Sequence, residues 1–379
     1  MRALALLALT AGCTQHTDLI STDGAAACTA PGPPIQLDSE FACAGALAAH
    51  TFRYALCSCA SLTLDGDLVT DRFAGGPPPM MGHPMPSAAV GTDGDVEVLG
   101  LTQVAGALES AGSSGVGLSG TSAVFGNLRS GGLLGTDQIL TIGQDAFVAG
   151  DVLGRVDIRG ALHSPIGTHI DPSVSASGLV REPVMVAPPC DCNAPRLDVA
   201  ALVAAHASSH DDAAAGLTPD VLAGASVPAV IDLACGSFFF TALAPPTTLE
   251  VRVHGRAAMF VAGDARLPGG LRVTLDPSAE LDLVIAGDLS LPTGTLGAAA
   301  PSSVRVWLAG ASVDLGDGAS LSALLYAPNA TLGAARNLIA AGAVFAGSLS
   351  LPGDVAIQFD PQLLLSGAEC NVAPERPVQ

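Results

Sequence analysis

Lysine is missing from this chain of 379 residues, whose 15 basic side chains are all arginine. The arginine bias of a GC-rich genome explains the lack most simply. It nevertheless excludes any mechanism built on a lysine amine, from a Schiff base to a phosphate-cradling P-loop. Aromatic residues are also scarce: 4% of the chain, with one Trp and two Tyr, against 49% hydrophobic residues. The apolar content is therefore Ala, Leu and Val, whereas a globular core of this size usually holds more large rings. Positive charge is short as well, and the formal net charge is −20. Nucleic acid and anionic lipid headgroups both require a basic patch, so neither is an expected partner. No stretch approaches the ~20 apolar residues of a membrane-spanning helix, and neither a G-x-S-x-G elbow nor an H-E-x-x-H pair occurs.

Turn residues and apolar residues are abundant together. There are 44 Gly and 27 Pro, yet mean hydropathy is +0.49. A polar chain of that Gly and Pro content would be disordered; an apolar one reads as many short strands divided by turns.

The N-terminus, MRALALLALTAGCTQ, has one basic residue, a short apolar stretch and then Thr10-Ala11-Gly12-Cys13. Small residues before a Cys resemble the lipobox of bacterial lipoproteins, in which that Cys is lipidated and becomes the new N-terminus. The Leu usual three residues before it is Thr10 here, with Leu9 one place earlier. Thr14 follows Cys13, which by the same resemblance implies the outer membrane, on its periplasmic or extracellular face. The cysteine count agrees. Nine cysteines are awkward for an exported protein, but setting Cys13 aside leaves Cys28, Cys43, Cys57, Cys59, Cys190, Cys192, Cys235 and Cys370, an even set open to disulfide pairing.

Residues 1–12 thus read as a lipoprotein signal peptide and 13–45 as the lipidated Cys with a polar, Pro/Gly-rich tether. Beyond them a short unit recurs, two alternating apolar residues and then Gly: Leu62-x-Leu64-x-Gly66, Val96-x-Val98-x-Gly100, Val156-x-Ile158-x-Gly160 and Val251-x-Val253-x-Gly255. A clearer version appears as MFVAGD (259–264), LVIAGD (283–288), VWLAGA (306–311) and VFAGS (344–348), with LLYAPNA (324–330) in the intermediate place. Gly263, Gly287 and Gly310 are 24 and 23 residues apart; Gly100, Gly120, Gly143 and Gly160 are 20, 23 and 17 apart. A period near 20 of strand-like pieces closed by Gly predicts coils that return over themselves, a mainly β parallel solenoid or β-helix, with an antiparallel β-sandwich as the alternative. In the solenoid Val261, Leu283, Ile285, Val306 and Leu308 point inward, while Val284 and Ala286 face out and tolerate change better. The N-terminal part covers 46–185, with a proline-rich loop at 75–86. A Cys-bracketed helical insertion covers 186–235, the C-terminal part 236–366, and a tail 367–379. Within the insertion, Leu197, Ala201, Leu202 and Ala205 recur at helical spacing in 196–224, which predicts an Ala-rich helix of about three turns broken at Gly216.

Taken together, YALCSCASLTLDGDL (54–68), PPCDC (188–192), the Ala-rich helix, LACGSFFF (233–240) and the VAGD rungs resemble a group of uncharacterised bacterial surface lipoproteins with a right-handed parallel β-helix body. The resemblance spans roughly 45–366. It implies architecture and a place at the cell surface, and it brings no catalytic residues.

Candidate chemistry is sparse. Cys57-x-Cys59 and Cys190-x-Cys192 supply four thiols, but zinc sites favour two to four intervening residues. Two Cys two apart on a strand face one side, so each pair is better suited to staple a neighbouring element twice. His206 and His210, four apart on the expected helix, form the one metal pair to consider, although a solvated helix end explains them as well. Gly115-Val-Gly117-Leu-Ser-Gly120 fits G-x-G-x-x-G, but no helix follows to receive a pyrophosphate. β-Helices also host polysaccharide lyases and hydrolases, which need clustered carboxylates. Asp65, Asp67, Asp93, Asp95, Asp264, Asp288, Asp314 and Asp317 would have to align for that, and most follow Gly, where Asp is a normal turn residue. No catalytic residue is assigned and no cofactor is implied, with calcium the one cation these acidic corners would suit. The expected role is a non-enzymatic cell-surface lipoprotein with a structural, adhesive or interaction task, membrane-bound through its lipid, with surface glycans or envelope proteins as partners. The alternative is a carbohydrate-binding or polysaccharide-degrading β-helix.

Overall fold

The computed structural model describes residues 35–37, 40–42, 44–74, 88–190, 192, 197–224 and 230–364. Period-two apolar triplets divided by Gly corners fold as the repeats require. Three short strands make one coil. Face A carries Leu68–Arg72, Thr102–Val104 and Ser122–Val124. Face B carries Leu56–Ser58, Val90–Thr92 and Leu108–Ser110, and face C carries Leu62–Leu64, Val96–Val98 and Gly115–Leu118. Coil joins coil through parallel pairing on every face. Among the described residues the only antiparallel pair is the small hairpin of Ile35–Leu37 with Glu40–Ala42. The body is a parallel β-solenoid, not a sandwich.

Inward side chains stack in files. On face B one file runs Phe238, Met259, Leu283, Val306, Leu325, Val344, Leu56, Val90, Leu108, Leu128, Ala146, Leu162, Leu179, one residue from each of thirteen coils. At the usual strand spacing these coils make a rod about 60 Å long. Gly263, Gly287 and Gly310 stack as the repeats predict, because a Cβ on Gly310 would lie 2.2 Å from the Gly287 carbonyl oxygen. In the N-terminal part Gly143 lies over Phe125 and not over Gly120, so the irregular spacing there came from mixing two corners.

The file is not in chain order. The chain enters the solenoid at its middle, at 56–72, and winds to one end at Ser175–Arg181. It returns along the outside and restarts at the opposite end with Val230–Leu233 and Gly236–Phe240. From there it winds back until its last coil docks on its first: Val344 pairs with Leu56, Val355 with Leu68, and Leu351 with Leu64. The two parts are thus stacked in the reverse of their sequence order.

The returning segment is a strap over face B. It passes Gly91, where a Cβ would meet Pro189 at 3.2 Å, and bonds to the first coil at Cys57 and Cys59. It then crosses 236–285 as a helix, Val199–His206. That helix has eight residues, against the three turns expected. Asp198 caps it by accepting from Ala201 N at 2.9 Å. It stops early because the Asp211 and Asp212 carboxylates accept from Ser237 N and Phe239 N and draw the chain across the end of the solenoid. Its buried face is Val199, Leu202 and Val203, whereas Ala201 and Ala205 are exposed. A second helix, Ala44–Thr51, was not foreseen and lies in and beyond the stretch expected to be tether. Cys13, Cys28, Cys43, Cys370 and the proline-rich 75–86 lie outside the described residues.

The strap corrects one expectation. Outward residues of face B are buried beneath its helix, Phe260 and Val284 (1% exposed), while Trp307 is buried against Phe52, which follows helix Ala44–Thr51. Val284 is as inaccessible as its inward neighbour Ile285. Because an unpartnered buried charge costs several kcal/mol, Val284→Asp and Ile285→Asp are both expected to unfold or severely destabilise the C-terminal part. Ser290→Asp, on uncovered face C, should shift the denaturation midpoint little.

Candidate functional site

The residues able to do chemistry fall into three groups: corner aspartates, the layer under the strap, and the histidines. In the first group carboxylates reach the backbone of the next coil. Asn337 Oδ1 accepts from Asp354 N at 3.0 Å, Asp354 Oδ1 from Asp67 N at 2.9 Å, and Asp67 Oδ1 from Leu101 N at 2.8 Å. This ladder crosses the junction between the two parts. Asp264 and Asp288 continue the pattern toward Asp288 N and toward Ala311 N and Ser312 N. Asp95 accepts from Ser114 N and Gly115 N, and Asp93 from Cys190 N and Cys192 N. Asp65 is exposed, Asp314 accepts from Ser312 Oγ, and Asp317 lies 3.5 Å from Arg336. The eight acids do not form one cluster: Asp65 and Asp67 share the turn at Gly66, Asp93 and Asp95 share the turn at Gly94, and Asp314 lies within the strand Ser312–Leu315. The Gly-Asp pairs follow from the geometry: Gly lets neighbouring coils approach, and Asp satisfies an amide of the next coil.

The second group is covalent and ionic. Cys57 bonds to Cys190 and Cys59 to Cys192, each with a Cα–Cα distance of 5.6 Å, so one C-x-C staples the other twice. Cys235 is also disulfide-bonded. Further along face B the Arg305 guanidinium is buried between Asp282 (Nε–Oδ1 2.7 Å) and Glu280 (Nη2–Oε2 2.7 Å), and Trp307 Nε1 donates to Asp282 at 2.9 Å. Burial alone would favour loss of its proton, but the two carboxylates outweigh it and raise its pKa. Phe52, Trp307, Tyr326 and Phe345 continue the layer with ring centroids 5.2 to 5.9 Å apart.

The histidines are dispersed. His206 stacks on Phe260 at 3.7 Å and its Nδ1 lies 3.0 Å from Leu202 O. His210 stacks on Phe239, one coil away, with Nδ1 3.2 Å from Asp212 Oδ2. Among the described residues no group of three or more His, Cys, Asp or Glu is placed to hold a metal ion. His254 makes an inter-coil brace that sequence reading did not find, with Nδ1 on Asp276 Oδ2 at 2.8 Å and Nε2 on Asp232 Oδ1. The hydrogen bond to Asp276 raises its pKa above the ordinary imidazole value; burial opposes this, and the hydrogen bond and charge of Asp232 add to the rise.

The G-x-G-x-x-G run also serves stacking. Gly115 has φ +92° with its Cβ direction blocked by Leu133 O, and Gly120 sits against Gly100 O. Among the described residues, two of the surface grooves are shallow. One, on face C, includes Thr63, Asp314, Gly333 and Ser350, with Asp314 its single charge. The other, on face A, includes Thr248, Arg272, Thr295 and Ser322, with Arg272 its single charge. Neither lining contains an aromatic ring or the paired carboxylates of glycoside hydrolysis.

Residues 198–364, less than half of the chain, match a family described as a domain of unknown function, DUF7305. The match begins at the N-cap of the strap helix and ends with the 3-10 turn Pro361–Leu364. No curated protein and no solved structure matches the chain. Nothing in the geometry or in these comparisons indicates catalytic activity.

Two outcomes follow. Arg305→Met strands two buried carboxylates and should lower unfolding stability by about 3–5 kcal/mol, read from the denaturant midpoint. His254 has a raised folded-state pKa, so its contribution is full below the ordinary imidazole pKa and is lost as pH rises through the folded value. Stability of the wild type relative to His254→Gln should therefore decline across that window, and an equal difference at all pH values would reject the brace.

Proposed function

We propose that the protein is a non-enzymatic bacterial envelope lipoprotein, a rigid rod held at the outer membrane through Cys13 and acting by interaction. The observation that carries this reading is how its reactive groups are used. Corner carboxylates, the C-x-C pairs and the buried arginine all brace one coil to the next or the strap to the body, and the shallow grooves carry one charge each. The disulfides support export, because such bonds persist in oxidising compartments. The route of the chain supports a particular way of presenting the rod. Helix Ala44–Thr51 leads into the coil at the middle of the stack, so a tether arriving there holds the rod by its waist, away from its two ends, and leaves them to envelope partners. A carbohydrate-binding role is less well supported, since the grooves lack rings for sugar stacking.

Fractionation of cells producing the wild type and Cys13→Ala tests the reading. The wild type should incorporate labelled fatty acid and sediment with outer membranes, and the variant should lose the label and appear in the soluble fraction. Unchanged membrane partition and labelling in Cys13→Ala would end the proposal.

A further inference from the structure

The two ends of the rod differ. At one, the coil that starts at Val230 is closed by residues 211–223: Asp211 N donates to Ser237 O, Thr241 N to Pro219 O and Ala244 N to Leu222 O. Phe238 and Phe240 beneath are 1% and 0% exposed, with Leu222 itself fully buried. At the other end, Ser175–Arg181 pairs along one edge with residues 157–164. Among the described residues no strand pairs with its opposite edge. All seven of its residues are exposed. Leu179 belongs to the inward file of face B, where its predecessor Leu162 is 2% exposed, yet Leu179 is 54% exposed. Val180, Ile166 and Met185 are exposed around it. Among the described residues the apolar interior ends here uncovered beside a free strand edge, a combination that β-proteins commonly block with charge, proline or a cap.

We infer that this open end is an interface for a second copy of the chain, joined head to head about a two-fold axis with the Ser175–Arg181 edges antiparallel. Three observations select that occupant. A head-to-tail copy would need the edge of the opposite end, which 211–223 occupies. A two-fold contact needs only the one surface, closes after two copies and makes no filament. In a chain of net charge −20, the strand SASGLVR contains no acid, and its single charge, Arg181, is turned to Ser164 Oγ, Pro165 O and Thr168 Oγ1. The strand itself therefore adds no carboxylate to the general repulsion between copies, the flanking acids in sequence being Asp171 and Glu182. The inference does not depend on the lipid anchor.

Light scattering coupled to gel filtration of the soluble Cys13→Ala chain, over a concentration series, tests it. The expected result is a monomer–dimer equilibrium that Leu179→Asp shifts fully to monomer while a cooperative melting transition is retained. Because Leu179 is more than half exposed, that variant should fold; if its melting transition is lost, Ser177→Cys decides, with a covalent dimer expected on oxidation. A Cys13→Ala chain that stays monomeric at every concentration overturns the proposal, as when a segment of the same chain covers the edge. So does a dimer untouched by Leu179→Asp, an open-ended ladder of oligomers, or a Ser177→Cys variant that forms no covalent dimer.

Discussion

Parallel stacking of coils about 4.8 Å apart is the constraint from which the rest follows. Each backbone group of a coil must find its partner in the coil above or below, because the narrow interior admits no water to replace it. The spacing leaves no room for a Cβ at the corners, which is why Gly287 and Gly310 face carbonyl oxygens of the preceding coil. Amides that the corners turn away from the ladder need another acceptor, and the aspartate after the glycine supplies it. Inside, the same demand places hydroxyls among aliphatic residues. Ser58, Thr92, Ser110 and Ser130 form one inward file, and each donates to a corner carbonyl such as Ala60 O or Leu133 O.

The parts of this design that repeat were legible in the sequence. The Gly-Asp corners and the apolar alternation declare the coil, and LLYAPNA falls in the coil between VWLAGA and VFAGS, where Tyr326 pairs with Trp307 and Phe345. The inward hydroxyl file was not legible, since a buried Ser looks like an exposed one when its partner is a distant carbonyl. The covered outer face of B did leave a signal. SFFF, MFV and LLYA are runs without alternation, the pattern of strands buried on both sides. The scarce aromatics gather there, because only the strapped face has room outside the narrow core for Trp307 and Tyr326. The stacking order could not be read, because any rung of this chemistry fits any other. What chooses the neighbours is the strap, whose length and caps bring the opposite end back to the start.

That order also explains where the disulfides lie. Coils joined in sequence are held together by their own corners, so losing contact between them is opposed at every turn. The junction between 338–359 and 56–72 has no such connection; the two parts are joined there by pairing such as Val344 with Leu56, by the corner ladder of Asp354 and Asp67, and by the packing of helix Ala44–Thr51 on Pro361–Leu364 and of Phe52 on Trp307. The bridges bind the strap to the first coil at Cys57 and Cys59, beside this seam. Closing a loop of 133 residues restricts the unfolded chain by about 5 kcal/mol on the chain-entropy account. The second bridge, two residues on, closes almost no further loop. Its effect is instead on orientation: two bonds fix the direction of the strap along face B where one would leave a pivot. With that direction set, the helix lands on Phe260 and the following residues reach the end of the rod. The cap at one end and the seam at the middle are thus positioned by the same pair of bonds.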